Sequence, residues 1–565
     1  MTICPPFATV YGTANAKKGK NMNTLLGKVA IAMYASLFAS AVLAHGKDDP
    51  ANGPRSAQFG HVVFKTSCTP DAQKQFDAAL SMLHSFFFPE TVKAFSAIPQ
   101  TDPQCAIAYW GIAISQRPNP LVGPFDAATL KRGFEAVEKG EAIGAKTERE
   151  RDWLAALKEF YKDYDKVDQD TRAKNYEHAM EALAKKYPKD PEATIFYALA
   201  LNETYDHSDR SYANLLKAAK LLEPLEKKYP NHPGITHYII HSYDFAPIAR
   251  RGVPAADKYA KIAPDAPHAL HMPSHIYTMI GAWDRSIAAN RRTLDAATAY
   301  SEKVKLDGLY GAIPHSWDFM QYAYLQLGRD ADAKKLVDEV TAVKKLFTAG
   351  IVQQGGLSAI PARYMLERQD WKGAAELQPL AVVNAPAGLA VTHFARALGG
   401  ARSGDMAAAQ IDIDKLKGFR EALEKAKQPY WAGQVEIQIL CSQAWVAYGQ
   451  GNKDEAFKLM GAAADLEDAS EKHVAMENRL YPMRELLGDM LLDSGQSQAA
   501  LKEYEASMTR TPNRLRGFYG AAMAAKASGE AKKASNYLSK LAQLTRNADG
   551  DRAELKELKA HMASR

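Results

Sequence analysis

His237 and His241 stand four residues apart in "HPGITHYIIHSYD", and His271 and His275 stand four apart in "HALHMPSHIYTMIGAWDRSIAANRR". His268 precedes the second pair by three positions, and His315 lies further on in "IPHSWDFMQYAYLQLG". On a helix, spacings of three and four return to the same face, so each pair can present two imidazoles to one ion. Asp244 and Asp318 each follow a histidine by three residues. Either carboxylate could complete a coordination shell or orient a ring by accepting its second N–H. The donors are imidazole and carboxylate without thiolate, a set that favours a divalent transition metal, copper or zinc, and also admits iron or nickel. Neither pair has Glu directly after its first His, so the metalloprotease signature is absent. A P-loop, a Rossmann glycine pattern and a Gly-x-Ser-x-Gly elbow are absent as well.

The elements that would carry these residues repeat. "KKYPKDPEA" at 185–193 returns as "KKYPNHPGI" at 227–235. A helix, a short turn and an Ala-rich helix recur as "IGAWDRSIAAN", "LGRDADAKKL", "RQDWKGAAEL", "SGDMAAAQI", "QGNKDEAFKL", "SGQSQAALKEY" and "SGEAKKASNYL". In most copies a Gly ends the first helix, and small residues let the second pack closely against it. This pattern resembles the tetratricopeptide (TPR) repeat, most cleanly at Gly488, Leu491, Gly495, Ala500, Tyr504 and Pro512. The resemblance covers residues 75–545, with irregular spacing and longer loops in the N-terminal half. It implies an all-α, TPR-like helical-hairpin solenoid, a superhelical array whose concave surface binds partners. The chain also resembles a group of large, mostly uncharacterised exported bacterial TPR proteins, a likeness that supplies no chemistry.

The repeat register places the candidate ligands. His268, His271 and His275 fall at repeat positions two, five and nine, and His237, His241 and Asp244 at five, nine and twelve. His315, Asp318 and Tyr322 fall at two, five and nine. The TPR resemblance assigns that face to the concave groove, so these side chains are expected to converge from three adjacent helices. Pro273 cannot donate a backbone hydrogen bond, so a helix is expected to kink or begin there, which would leave His268 and His271 in an entering loop.

Bulk properties set the remaining expectations. The 565 residues exceed one compact core, and 47% hydrophobic with 24% charged residues is the balance of a folded soluble chain. The net charge of +6 falls to +2 without Lys17, Lys18, Lys20 and Lys28, which leaves no electrostatic case for nucleic acid. Lys28 precedes the apolar run "VAIAMYASLFASAVLA", which reads as a cleavable signal peptide starting naturally at Met22. The expectation is export to the periplasm or medium, with no membrane span after cleavage. Residues 1–44 are then the extension and signal, 45–74 an N-terminal segment, and 75–345 irregular repeats carrying the histidines. Residues 346–545 are further repeats and 546–565 a helical tail. In an oxidising compartment Cys68 and Cys105 could pair, with three buried free thiols as the alternative. Three functions fit: a groove that binds a divalent transition metal or a small polar ligand, a scaffold for a protein or peptide partner, and a metal-dependent enzyme of unknown reaction.

Overall fold

The computed structural model describes residues 58–62 and 64–563, which fall in one compact unit, Ala57–Arg565. The signal segment 1–44 lies outside the described residues. Among those described, the regular elements are helices, with one isolated bridge between Leu309 and Leu346. None of these helices is long and apolar enough to cross a membrane.

The fold is an all-α, TPR-like array in which each helix packs on its neighbours in sequence and often on the next but one. The run Pro386–Ser403, Met406–Lys425, Pro429–Gly449 and Lys453–Asp468 shows the pattern, its first and third members also touching. Most turn glycines of the recurring motif take left-handed φ values: Gly281, Gly328, Gly404, Gly451, Gly495 and Gly529 lie between +68° and +92°. The one copy without a glycine at that point places Gln369 there at +54°, and the Asp370 carboxylate then caps the next helix through the Gly373 N–H. Small residues are required where helices cross. A Cβ on Gly520 would lie 2.3 Å from the Tyr504 ring, and one on Gly488 2.9 Å from it. One aromatic is thus clasped between two glycines.

The array does not leave an open groove beside the histidines. Residues 470–482, between the helices Lys453–Asp468 and Met483–Asp493, reach back to the N-terminal half. There Glu471 accepts from Tyr212 and pairs with Arg210 at 2.8 Å, while Lys472 reaches Asp244 at 2.8 Å. The last helices also return: Trp283 donates to the Asn513 carbonyl at 2.8 Å, and Arg552 pairs with Asp330. These contacts turn the expected concave surface into interior. The apolar core follows the same path, one cluster joining residues from Val62 to Tyr277 and another joining Ala362 to Ala534.

Cys68 and Cys105 are joined by a disulfide that ties the start of the helix Pro70–His84 to that of Ile107–Ser115, with Cα atoms 4.9 Å apart. Cys441 is a buried free thiol in the helix Pro429–Gly449.

Candidate metal centre

Four helices bring the six histidines together. Pro233–Ser242 carries His237 and His241, Pro267–His271 carries His268 and His271, Pro273–Met279 carries His275, and Ala312–Gln326 carries His315. The first three helices have Pro at their first position, where the missing N–H is unpaired anyway. A new helix does begin at Pro273, as the sequence suggests, yet His268 and His271 do not drop into a loop. Met272 stays in the right-handed region at φ −51°, ψ −36° and its N–H bonds the His268 carbonyl at 3.0 Å. The turn is retained across the break, so His271 and His275 still meet.

The rings sort into two triads. In the first, His237 Nε2 lies 3.0 Å from His241 Nε2 and 3.1 Å from His268 Nε2. In the second, His271 Nε2 lies 3.0 Å from His275 Nε2, and the His315 ring centroid is 4.5 Å from that of His271. One potential ligand atom from each member of a triad lies within 4.8 Å of the others. Each triad has two buried members and one half-buried member, His268 in the first and His315 in the second. Each also has its own phenylalanine wall. Phe86 packs on His237 and His268 with centroids 4.5 and 5.3 Å away. Phe319 packs on His271, His275 and His315 at 4.8 to 5.2 Å.

The opposite ring nitrogens fix the tautomers. His237 Nδ1 donates to the His84 carbonyl at 2.7 Å, and His275 Nδ1 donates to Asp244 Oδ2 at 2.7 Å. His271 Nδ1 lies 2.6 Å from Asn290 Oδ1, while Asn290 Nδ2 donates to the Ser286 carbonyl at 2.9 Å, which sets the amide orientation. With their protons at Nδ1, neutral His237, His271 and His275 present bare Nε2 lone pairs. His271 and His275 then point two lone pairs at each other across 3.0 Å. In the first triad, the one lone pair of His237 cannot accept from both His241 and His268. A second proton on any ring would relieve the repulsion, but the interior opposes it. Burial, aided by neighbouring rings, drives His237, His241, His268, His275 and His315 well below the ordinary imidazole range. His271 is lowered to about 4, again mainly by burial.

The two carboxylates expected to join the shell are outside it. Asp244 Oδ2 receives both the His275 Nδ1–H and the Lys472 ammonium, so Asp244 orients a ring and is already paired. Burial raises its carboxyl above the usual carboxylate range against the opposing pull of Lys472. Asp318 belongs to neither triad: it accepts from Arg363 Nη1 at 2.8 Å, and Arg363 also binds Glu477. The repeat register put Asp318 on the right face, but an arginine 45 residues away claims its charge.

A third histidine group shows what a finished cluster looks like. His84 Nδ1 meets Tyr238 Oη and its Nε2 meets Glu192, both at 2.9 Å, while His232 Nε2 meets Glu192 at 2.8 Å. His232 Nδ1 accepts from the Ile235 N–H, so this group has no ring nitrogen left for an ion.

Sequence reasoning missed the His84 carbonyl, Phe86, Asn290, Phe319 and Lys472. Phe319 carried a signal, since it follows His315 by four residues on one helix, and Asn290 lies in the stretch that opens with the histidines. Phe86 and Lys472 arrive from distant segments and carried none.

No family model and no curated protein matches the chain. Among solved structures it is similar to a human IFIT1 dimer with m7Gppp-AAAA, at 12% identity and a TM-score of 0.37, covering 79% of this chain and 90% of that one. It is also similar to a structure of Naa15/Naa10 bound to HypK-THB, at 13% identity and a TM-score of 0.23, covering 87% and 91%. Likenesses this weak give neither a family nor a function.

Proposed function

We propose that the protein is an exported helical-repeat protein that holds one transition-metal ion in each histidine triad, copper or zinc being the ions its donors suit. The observation that carries this reading is the His271–His275 pair. Both Nδ1 atoms are committed to acceptors, both Nε2 atoms are bare, and they face each other at 3.0 Å in a buried site. A neutral hydrogen bond would need a proton that neither Nε2 has, and an imidazolium is disfavoured by burial. A cation between the two lone pairs satisfies both at once. The Nδ1 acceptors are the outer-shell partners that metal-bound histidines require to fix tautomer and orientation. Export rests on the signal-like N-terminus and fits the Cys68–Cys105 disulfide.

Elemental analysis of the mature chain, purified without a histidine tag, is expected to find about one ion per triad. Changing His237 and His241 together to Ala removes one equivalent, and changing His271 and His275 together removes the other. Exposed His178, changed to Ala, leaves both in place. A chain that carries no metal, and whose melting temperature neither zinc nor copper raises, would sink this reading and leave a scaffold for a protein or peptide partner.

A further inference from the structure

We propose that the two triads form one binuclear copper centre that takes up dioxygen between its ions. This rests on the metal reading above and adds what the pair of ions does.

The triads are immediate neighbours. Across the boundary, His241 and His275 have ring centroids 6.1 Å apart, and His268 and His271 6.2 Å apart. The widest separations inside the triads are 6.4 Å for His241–His268 and 6.0 Å for His275–His315. The spacing across the boundary therefore lies between the widest spacings inside the two centres, and no layer of protein divides them. His268 and His271 sit one turn apart on the same short helix and serve different ions. Rings in direct contact across the boundary leave room for two ions close enough to share one small ligand.

Charge then selects the ion and its ligand. All six donors are neutral imidazoles, and the nearby carboxylate, Asp244, is held by Lys472. Two divalent ions would place four positive charges in a buried site with no counter-charge, which a low-dielectric interior resists. Two cuprous ions place only two. When dioxygen binds between them, each Cu(I) gives one electron and becomes Cu(II), and the two electrons reduce dioxygen to peroxide. The O–O single bond survives, no proton is taken up, and the net charge of the centre stays at two. Oxidation thus buries no additional charge, a balance that redox-inert zinc cannot offer.

Access and surroundings fit a small apolar reactant. His268 and His315, one from each triad, are the half-buried members, so each triad keeps one ring in partial contact with the surface. Phe86 and Phe319 flank the other rings and limit water.

The test is anaerobic loading of the mature protein with Cu(I), followed by admission of dioxygen. The expected result is two coppers per chain and one dioxygen consumed per two coppers. The product should contain Cu(II) by X-ray absorption edge yet give no EPR signal, because the two spins couple through the bridge. Changing His271 and His275 together to Ala should leave a single copper that becomes EPR-visible on oxidation and should lose stoichiometric uptake. Two bound coppers that oxidise to two independent EPR signals, or that ignore dioxygen, overturn the binuclear proposal while leaving metal binding intact. A chain that loads no copper at all overturns both.

Discussion

Four arginines between residues 363 and 552 lie almost wholly inside the protein, and each meets carboxylates: Arg363 with Asp318 and Glu477, Arg514 with Glu367 and Glu485, Arg516 with Asp489 and Glu554, Arg552 with Asp330. Six histidines gather between residues 237 and 315, four of them buried, and ring nitrogens of five meet one another. The interior tolerates both arrangements for different reasons. A buried guanidinium beside carboxylates finds its opposite charge and its hydrogen-bond acceptors within the chain. Lone pair against lone pair is complete only when something positive sits between them. The difference separates polar groups paired by charge within the chain from ring nitrogens that face one another.

The largest way to break this comparison acts on the arginine side. Arg514 donates from Nε to Glu485 at 2.8 Å, from Nη2 to Glu367 at 2.7 Å and from Nη1 to Tyr322 at 2.8 Å. Arg514→Met leaves two neighbouring buried carboxylates without their cation. Removing one partner of a buried pair costs about 3–5 kcal/mol, so chemical denaturation is expected to show a loss of that size. The metal content of the folded fraction is expected to stay unchanged. A loss of under about 1 kcal/mol would show that the arginine cluster does not hold the fold.

A smaller effect separates the two aspartates that the repeat register treated alike. Asp244→Asn keeps an oxygen for the His275 N–H but removes the charge that balances Lys472. Loss of an outer-shell carboxylate typically weakens metal affinity about 10–100-fold. That shift is expected for the second triad in competition with a chromophoric chelator. Asp318→Asn, whose carboxylate serves Arg363, is expected to leave affinity unchanged and to lower the melting temperature instead. Equal effects on affinity would merge the two regions and contradict the division.

The helical array and the six histidines were legible because both are local. A glycine turn and a spacing of three or four are visible within a dozen residues, and together they put His237, His241, His268, His271, His275 and His315 on one side. The split into two triads was not legible. His268 and His271 differ by three residues and go to different triads, which depends on how Pro233–Ser242 and Ala312–Gln326 approach from either side. Burial was misjudged for a related reason. TPR repeats imply an open concave face, but residues 470–482 cover it through Lys472 and Glu471, more than 220 residues from the partners Asp244 and Tyr212. Nothing local in the stretch "EKHVAMENRLYP" marks it as a plug, and only its contacts reveal it as one.

That plug supplies the smallest test. His473 lies in it, its ring against His207 with centroids 5.6 Å apart and against Trp431 at 5.1 Å. Burial lowers its imidazole to about 3, and His207 and Lys472 push in the same direction. The unfolded chain titrates this group near 6.5, so from there downward the unfolded state binds a proton that the folded state refuses. Its contribution to stability is therefore present above pH 6.5 and is lost as pH falls toward 3. One such group is worth at most about 1.4 kcal/mol per pH unit, and less here because His473 keeps some contact with water. His473→Gln retains the six triad histidines, so the difference between variant and wild type isolates this one ring. Urea midpoints between pH 7 and about pH 5 are expected to fall less steeply for the variant. Parallel slopes would mean that the plug leaves His473 free to titrate as it does in water, and that the lid over the histidine centre is looser than its contacts suggest.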